Sequence, residues 1–171
     1  MAVSRRLFRP DAAPRPADPG PAPAPAVPFS PPPPLEHIVQ ALGLAGPSRE
    51  AVARVLAHRL GDPRTLGLLR AADVAAISGL LREAFVGANP QALRLGRILL
   101  AQRRVEPRPL ARALATQRES GRRIGEELVQ TGMLDPRAIA RALWLQHKLT
   151  ATVRFLRQEP GILTYVAKNS P

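Results

Sequence analysis

Apolar residues recur at helical spacing through most of the chain, beginning at residue 35. Within residues 35–44 the apolar positions follow the i, i+3, i+4, i+7 pattern of an amphipathic helix. The pairs Asp62–Pro63 and Asn89–Pro90 each place a capping side chain before a proline, which suits the first position of a helix. Since no alternating strand pattern competes, residues 35–90 are predicted to form a small helical module.

The pattern of residues 93–117 returns at residues 122–146, shifted by 29 positions without a gap. Of the 24 positions from Arg94 to Gln117, ten are identical in the second copy and five more are conservative exchanges. Each copy predicts a short helix, a turn and a second helix, because a turn interrupts the apolar periodicity and a cap followed by proline restarts it. Residues 91–150 are therefore predicted to form a duplicated domain.

Two such helical hairpins, joined by residues 118–122, are expected to bury their apolar faces against each other. The predicted fold class is all-α: two tandem helix-turn-helix units form a small four-helix module, preceded by a short helical region. In the second unit, Gly132 is expected to end the first helix in the left-handed conformation, and Asp135 to cap the next helix. In the first unit Arg103 replaces that glycine, and a left-handed arginine costs about 1–2 kcal/mol. The first turn is thus expected to be strained or differently shaped.

The two ends of the chain differ from its centre. Residues 1–34 hold 12 of the 20 prolines and few large apolar side chains, which predicts a disordered Pro/Ala-rich tail. Residues 151–171 are assigned as a C-terminal extension. The apolar spacing of Leu149, Val153 and Leu156 would continue the last helix, whereas the sequence EPGI would suit a turn between two strands. The helix is the favoured interpretation.

Composition narrows the function classes. The chain has no cysteine, which excludes disulfides, thiolate catalysis and cysteine-ligated zinc. It has no apolar run long enough for a transmembrane helix and no apolar segment after the N-terminal arginines, so a cytoplasmic location is expected. It contains neither a GxxxxGK[ST] phosphate-binding loop nor a catalytic or metal-ligating constellation. We therefore expect neither an enzyme nor a cofactor.

The net charge of +12 is concentrated in the repeat, because residues 91–150 hold 12 basic and 5 acidic side chains. A cationic segment favours an anionic partner, such as a nucleotide, a nucleic acid or a lipid headgroup. A solvated basic face would give the same excess, so charge by itself does not choose among these partners.

Both repeated units follow the form RLGxxLLxxGxIxxxxLxxxLxxQ, and five residues separate them. In this they resemble the MshEN-type domain, the N-terminal module of type II secretion and type IV pilus extension ATPases and of related bacterial regulators. The resemblance covers residues 93–146. It implies binding of the second messenger cyclic di-GMP. It also implies a partner such as a secretion or pilus ATPase, a glycosyltransferase or another membrane-machine component, and nucleic acid is not the expected partner.

The resemblance places ligand-binding residues at equivalent positions of the two units. The arginines would bind phosphate or a guanine edge, and the glycines would admit the ligand close to the backbone or simply let two helices pack closely. Leucines and isoleucines would form an apolar floor, and the final glutamine of each unit offers a donor and an acceptor. The candidate residues are Arg94, Leu95, Gly96, Leu110, Leu114, Gln117, Arg123, Ile124, Gly125, Ile139, Leu143 and Gln146.

The expected function is that of a cyclic di-GMP-binding adaptor which acts on a bacterial secretion, pilus or exopolysaccharide machine. Two alternatives stay open. The domain would be a structural docking domain if it had lost its ligand, and the arginine at position 103 makes the first half-site the place to expect such a loss. Residues 122–143 also have the outline of a basic helix-turn-helix, as in DNA-binding proteins.

Overall fold

A computed structural model describes residues 29–159 and residue 162. Every regular element within these residues is helical, so the predicted all-α fold class is confirmed. Residues 1–28 of the predicted tail, and residues 160–161 and 163–171 of the predicted extension, lie outside the described residues. In the described part of the chain, no helix combines the length and the apolar composition needed to cross a membrane.

The helices follow one another with short connections. In chain order they are α1 (Pro33–Ala41), α2 (Gly46–Leu60), α3 (Pro63–Arg70), α4 (Val74–Phe85), a 3₁₀ helix (Pro90–Leu93), α5 (Leu95–Ala101), α6 (Pro107–Ser120), α7 (Ile124–Gln130) and α8 (Pro136–Gln158). Helix α1 begins two residues before the predicted module, because the first positions of a helix need no N–H partner and accept proline. Asp62, Asp73 and Asp135 cap α3, α4 and α8 by accepting from the backbone N–H three residues on.

The repeat forms α5 to α8, and each unit is a helix, a turn and a second helix as its sequence predicts. Gly132 has a φ of +68° and ends α7, which confirms its predicted left-handed conformation. The linker predicted at residues 118–122 is shorter than expected. Since its first three residues include no helix breaker, α6 continues to Ser120, and Gly121 ends it with a φ of +69°.

Buried apolar side chains form two clusters. The larger cluster joins α1–α4, the 3₁₀ helix, α5 and the C-terminal half of α8, and its fully buried members include Leu35, Ile38, Leu56, Leu60, Ile77 and Leu149. The smaller cluster lies within the repeat and contains Leu95, Leu99, Leu110, Ala113, Leu128, Ile139 and Ala142. Within the repeat, α5 packs against α8 and α6 packs against α7. The first helix of each unit thus contacts the second helix of the other.

Helix α8 belongs to both clusters. It is an unbroken helix of 23 residues, in which Ile139 joins the cluster of the repeat and Leu149 joins the larger cluster. Residue 150, where the duplicated domain was expected to end, therefore lies inside a helix. The helical interpretation of the residues that follow is confirmed as far as Gln158. The helical module and the repeat share α8.

Some equivalent positions of the two units differ in sequence because α1–α4 cover one member of the pair and leave the other uncovered. Ile98 in α5 is fully buried in the larger cluster, and its counterpart in α7 is the carboxylate of Glu127. Glu127 is only 3% exposed and accepts a hydrogen bond from the Ser120 hydroxyl at 3.3 Å. Leu149 in α8 is fully buried, and its counterpart is Ser120 itself. Helices α5 and α8 pack on the helical module, whereas α6 packs on α7. In each of these two pairs the position covered by the helical module is therefore apolar, and its counterpart is polar.

Polar contacts fasten α8 to the start of α3. The indole Nε1 of Trp144 donates to the Thr65 hydroxyl at 3.2 Å, and the Arg64 guanidinium stacks 4.4 Å from the indole ring. The ammonium of Lys148 lies 3.1 Å from the Asp62 carboxylate. A hydrogen bond from the Thr65 backbone N–H, followed by those from its hydroxyl and from Lys148, lowers the pKa of Asp62 to about 2. These contacts fix the orientation of α8 relative to the helical module.

Candidate ligand-binding site

A cavity of about 490 Å³ lies between α7 and the N-terminal half of α8, with one side chain contributed by α5. It is lined by Leu95, Arg123, Ile124, Gly125, Glu126, Val129, Gln130, Pro136, Ile139 and Leu143. Six of the twelve candidate residues are among them: Leu95, Arg123, Ile124, Gly125, Ile139 and Leu143. The cavity thus collects most candidates of the second unit together with one from the first.

The cavity has an apolar floor that extends onto the surface. Leu95 and Ile139 are buried beneath it, whereas Leu143 is 46% exposed. Leu114, at the equivalent position of the first unit, is 39% exposed. Large apolar side chains this exposed are few among the described residues, so the repetition of one at the same position distinguishes it from scattered surface leucines.

Arg123 stands at the rim of the cavity as the N-cap residue of α7. Its backbone N–H donates to the Glu126 carboxylate at 3.2 Å, which fixes the backbone where the side chain begins. No carboxylate of the described residues lies within 4.0 Å of its guanidinium, and the residue is exposed. The guanidinium is therefore available to an anion that enters the cavity.

The two candidate glycines allow close helix packing. A Cβ built on Gly125 would lie 3.1 Å from a methyl carbon of Ile139 and 3.6 Å from one of Leu95. A Cβ on Gly96 would lie 3.3 Å from a methyl carbon of Leu110. In each unit the glycine of the first helix therefore faces the first large aliphatic residue of the second helix. Only Gly125 also lines the cavity.

The first turn keeps the shape of the second despite its arginine. Arg103 has a φ of +53°, close to the +68° of Gly132. Its N–H donates to the Leu100 carbonyl at 2.9 Å, just as the N–H of Gly132 donates to the Val129 carbonyl at 3.0 Å. Of the two expectations for this turn, the strained backbone is the one observed, since a side chain occupies the left-handed region.

The other six candidates lie away from the cavity: Arg94, Gly96, Leu110, Leu114, Gln117 and Gln146. Arg94 is exposed as the N-cap residue of α5, and Leu110 is buried in the smaller cluster. Gln117 is half-buried on α6. The amide of Gln146 donates to the backbone carbonyl of Leu93 at 2.8 Å, so its donor already has a protein partner.

Four residues line the cavity without being candidates: Glu126, Val129, Gln130 and Pro136. Glu126 and Gln130 follow Arg123 at i+3 and i+7, which places all three on one face of α7. That helical spacing was the available signal. A comparison of the two units does not select Glu126 and Gln130, because the equivalent residues in the first unit are an arginine and an alanine.

The first unit presents different charges at the equivalent place. Arg97 occupies the position of Glu126, and its guanidinium pairs with Glu83 of α4 at 2.7 Å. The hydrogen bond between them raises the pKa of Arg97 and holds the pKa of Glu83 below its usual range. This side of α5 is therefore engaged with the helical module.

Within the described part of the chain, His, Asp and Glu side chains form no group of three that would hold a metal ion. No protein-family model, curated protein or solved structure matches the chain. The resemblance to the MshEN-type domain thus depends on the repeated residues themselves, and the function that it implies is a proposal.

Proposed function

We propose that this chain binds cyclic di-GMP at the cavity of the second unit and acts as a regulatory adaptor for a bacterial secretion, pilus or exopolysaccharide machine. The observation that carries the proposal is the meeting of six candidate residues around one space. The candidates follow from the repeat and from the resemblance, without the fold, and the fold brings Leu95 of α5 and Ile139 and Leu143 of α8 next to Arg123, which supports the proposal.

The lining of the cavity suits a guanine nucleotide. Ile124, Ile139 and Leu143 offer apolar surface to the face of a purine. The guanidinium of Arg123 can form a paired hydrogen bond to a phosphate or to the O6 and N7 atoms of guanine, worth about 1–3 kcal/mol. The Glu126 carboxylate is an acceptor for the N1 and N2 donors of guanine.

The duplication suits a ligand with two equivalent halves. Cyclic di-GMP has two guanines and two phosphates related by a near two-fold axis, so two copies of one unit can present the same groups to both halves. Arg94 and Leu114 are exposed in the first unit, as Arg123 and Leu143 are in the second. Leu95 of the first unit contributes to the cavity of the second. We therefore assign the second half of the ligand to the surface around Arg94 and Leu114.

Calorimetric titration of the full chain with cyclic di-GMP tests the proposal. We expect saturable binding that Arg123→Ala weakens at least about tenfold, because a charge-assisted pairing is lost. Arg118→Ala is the matched control, since it removes the same charge from an exposed position of α6 that does not line the cavity. Absence of binding, or an equal loss in both variants, would contradict the proposal.

The two alternative functions predict other results. A docking domain would bind no nucleotide. A helix-turn-helix DNA-binding protein would bind duplex DNA with a steep dependence on salt, through exposed arginines such as Arg137 and Arg141 in the first turns of α8. A titration with duplex DNA of arbitrary sequence at two salt concentrations therefore tests the DNA-binding alternative.

A further inference from the structure

One hydrogen bond connects helix α8 to Leu93, the residue that precedes Arg94. The side-chain amide of Gln146, on α8, donates to the backbone carbonyl of Leu93 at 2.8 Å. The side chain of Leu93 is buried in the larger cluster, which holds the acceptor in place. The bond is partly buried and spans 53 residues of sequence. It therefore ties the start of α5 to α8.

The backbone of Arg94 is fixed on both sides of its side chain. Its N–H donates to the Gln91 carbonyl at 3.2 Å, and its own carbonyl accepts from the N–H groups of Arg97 and Ile98 at 3.0 and 3.2 Å. With the preceding carbonyl held by Gln146, little freedom is left in the peptide units from which the Arg94 guanidinium extends.

The second unit lacks the equivalent clamp. Gln117 occupies the position of Gln146, and Arg122 occupies the position of Leu93. Among the described residues, the side-chain partner of the Arg122 backbone is Ser120 rather than Gln117: the Arg122 N–H donates to the Ser120 hydroxyl at 3.4 Å. The Arg122 guanidinium instead contacts Gln130 and lies 4.0 Å from the Glu127 carboxylate. The backbone of Arg123 is held from within its own helix: its N–H donates to the Glu126 carboxylate, and its carbonyl accepts from the N–H groups of Glu126 and Glu127 at 2.9 and 3.1 Å.

We propose that Gln146 is a positioning residue, which sets the place of Arg94 relative to the cavity and does not itself contact the ligand. This inference depends on the proposed function. Helix α8 carries Gln146 as well as the cavity residues Ile139 and Leu143, so one rigid helix fixes both the apolar floor and the origin of the Arg94 side chain. The two half-sites are then unequal: the first is tied to α8 through Gln146, whereas the second is held within its own helix.

A double-mutant cycle with cyclic di-GMP tests the proposal on the full chain. Gln146→Met keeps the length of the side chain and removes its donor, and we expect it to weaken binding about 3- to 10-fold, the effect of one net hydrogen bond. In an Arg94→Ala background the same substitution should have no further effect. Equal losses in both backgrounds, or no loss in either, would overturn the proposal. Gln117→Met is the matched control and should not couple to Arg94.

Amide hydrogen exchange without ligand keeps the inference testable on its own. The amides of Arg97 and Ile98 should exchange several-fold faster in Gln146→Met, because the first turn of α5 loses its clamp. The equivalent amides of Glu126 and Glu127 should be unchanged in Gln117→Met. Unchanged exchange in Gln146→Met would refute the clamp even if cyclic di-GMP binds. Failure of the unmodified chain to bind would refute the proposed function, and with it the role of Gln146 toward the ligand.

Discussion

The guanidinium of Arg103 donates to the carboxylate of Asp73 at 2.9 Å, across 30 residues of sequence. The backbone N–H of Asp73 donates in turn to the Ala101 carbonyl at 2.8 Å. The hydrogen bond from Arg103 is the main cause of the lowered pKa of Asp73. The arginine that departs from the repeat pattern therefore joins the first turn to the N-terminus of α4, and its strained backbone comes with a contact that glycine would not provide.

Replacing Arg103 by glycine and by alanine separates these two effects. Both variants lose the exposed ion pair, which contributes about 0–1 kcal/mol. Only the alanine variant keeps a Cβ in the left-handed region, so Arg103→Gly should exceed Arg103→Ala in free energy of unfolding by about 1 kcal/mol. Urea denaturation measures the difference. An alanine variant of equal or greater stability would show that the turn is not left-handed in solution.

The hydrogen bonds around Asp62 predict an acid-sensitive contribution to stability. Its pKa is about 2 in the folded chain, against 3.8 for an unpaired aspartate. Because the folded pKa is the lower one, the contribution is complete above about pH 4 and is lost as the pH falls toward 2. Thermal unfolding between these values should show a steeper fall in Tm for the unmodified chain than for Asp62→Asn. Parallel curves would argue against this network.

Leu149 and Ser120 lie at equivalent positions, three residues after the final glutamine of each unit, but have different surroundings. Leu149→Ala opens a fully buried site that joins α8 to the helical module, and it should lower the free energy of unfolding by about 2–5 kcal/mol. Ser120→Ala, at the exposed twin position, should change it by less than about 1 kcal/mol. Chemical denaturation of both variants tests whether α8 is shared. Similar effects at the two positions would indicate that the helical module does not cover α8.

Gly125 is the candidate residue at which a single methyl group tests the shape of the cavity. A Cβ there would press on Ile139 from 3.1 Å, so Gly125→Ala must displace the apolar floor. The better helix propensity of alanine offsets part of this cost in stability, by about 1 kcal/mol. We expect cyclic di-GMP affinity to fall about tenfold with little change in Tm. Unaltered affinity would show that the ligand binds elsewhere. Gly79→Ala, at an exposed position of α4 where a Cβ would meet no atom within 4 Å, is the control.

The helices could be predicted from the sequence because their signals are local. The apolar period, the capping aspartates and the glycine at position 132 each act within one or two turns of the chain. The path of α8 was only partly predictable. Its residues 145–156 are helical by pattern, but their burial under α2 and α4 depends on contacts far apart in sequence. The boundary expected at residue 150 was therefore placed inside a helix.

The candidate site was predictable to the extent that it follows the repeat. Equivalent positions gave Arg123, Ile124 and Leu143, whose side chains line the cavity. The sequence placed the difference between the two units at Arg103, whereas the structure shows further differences that involve other residues. Arg97 forms an ion pair with Glu83, and Gln146 donates a hydrogen bond to Leu93, because the helical module covers α5 and α8. Such an asymmetry comes from tertiary packing, which a comparison of the two copies cannot reveal.

The most direct test of the central claim is a methyl NMR titration of the full chain with cyclic di-GMP. The methyl resonances of Ile124, Ile139 and Leu143 should shift together and saturate with one affinity, because all three line the proposed site. Those of Ile77 and Leu56, fully buried in the larger cluster, should stay in place. If the three cavity residues remain unshifted at saturating ligand, or if shifts appear only elsewhere, the cavity is not the cyclic di-GMP site.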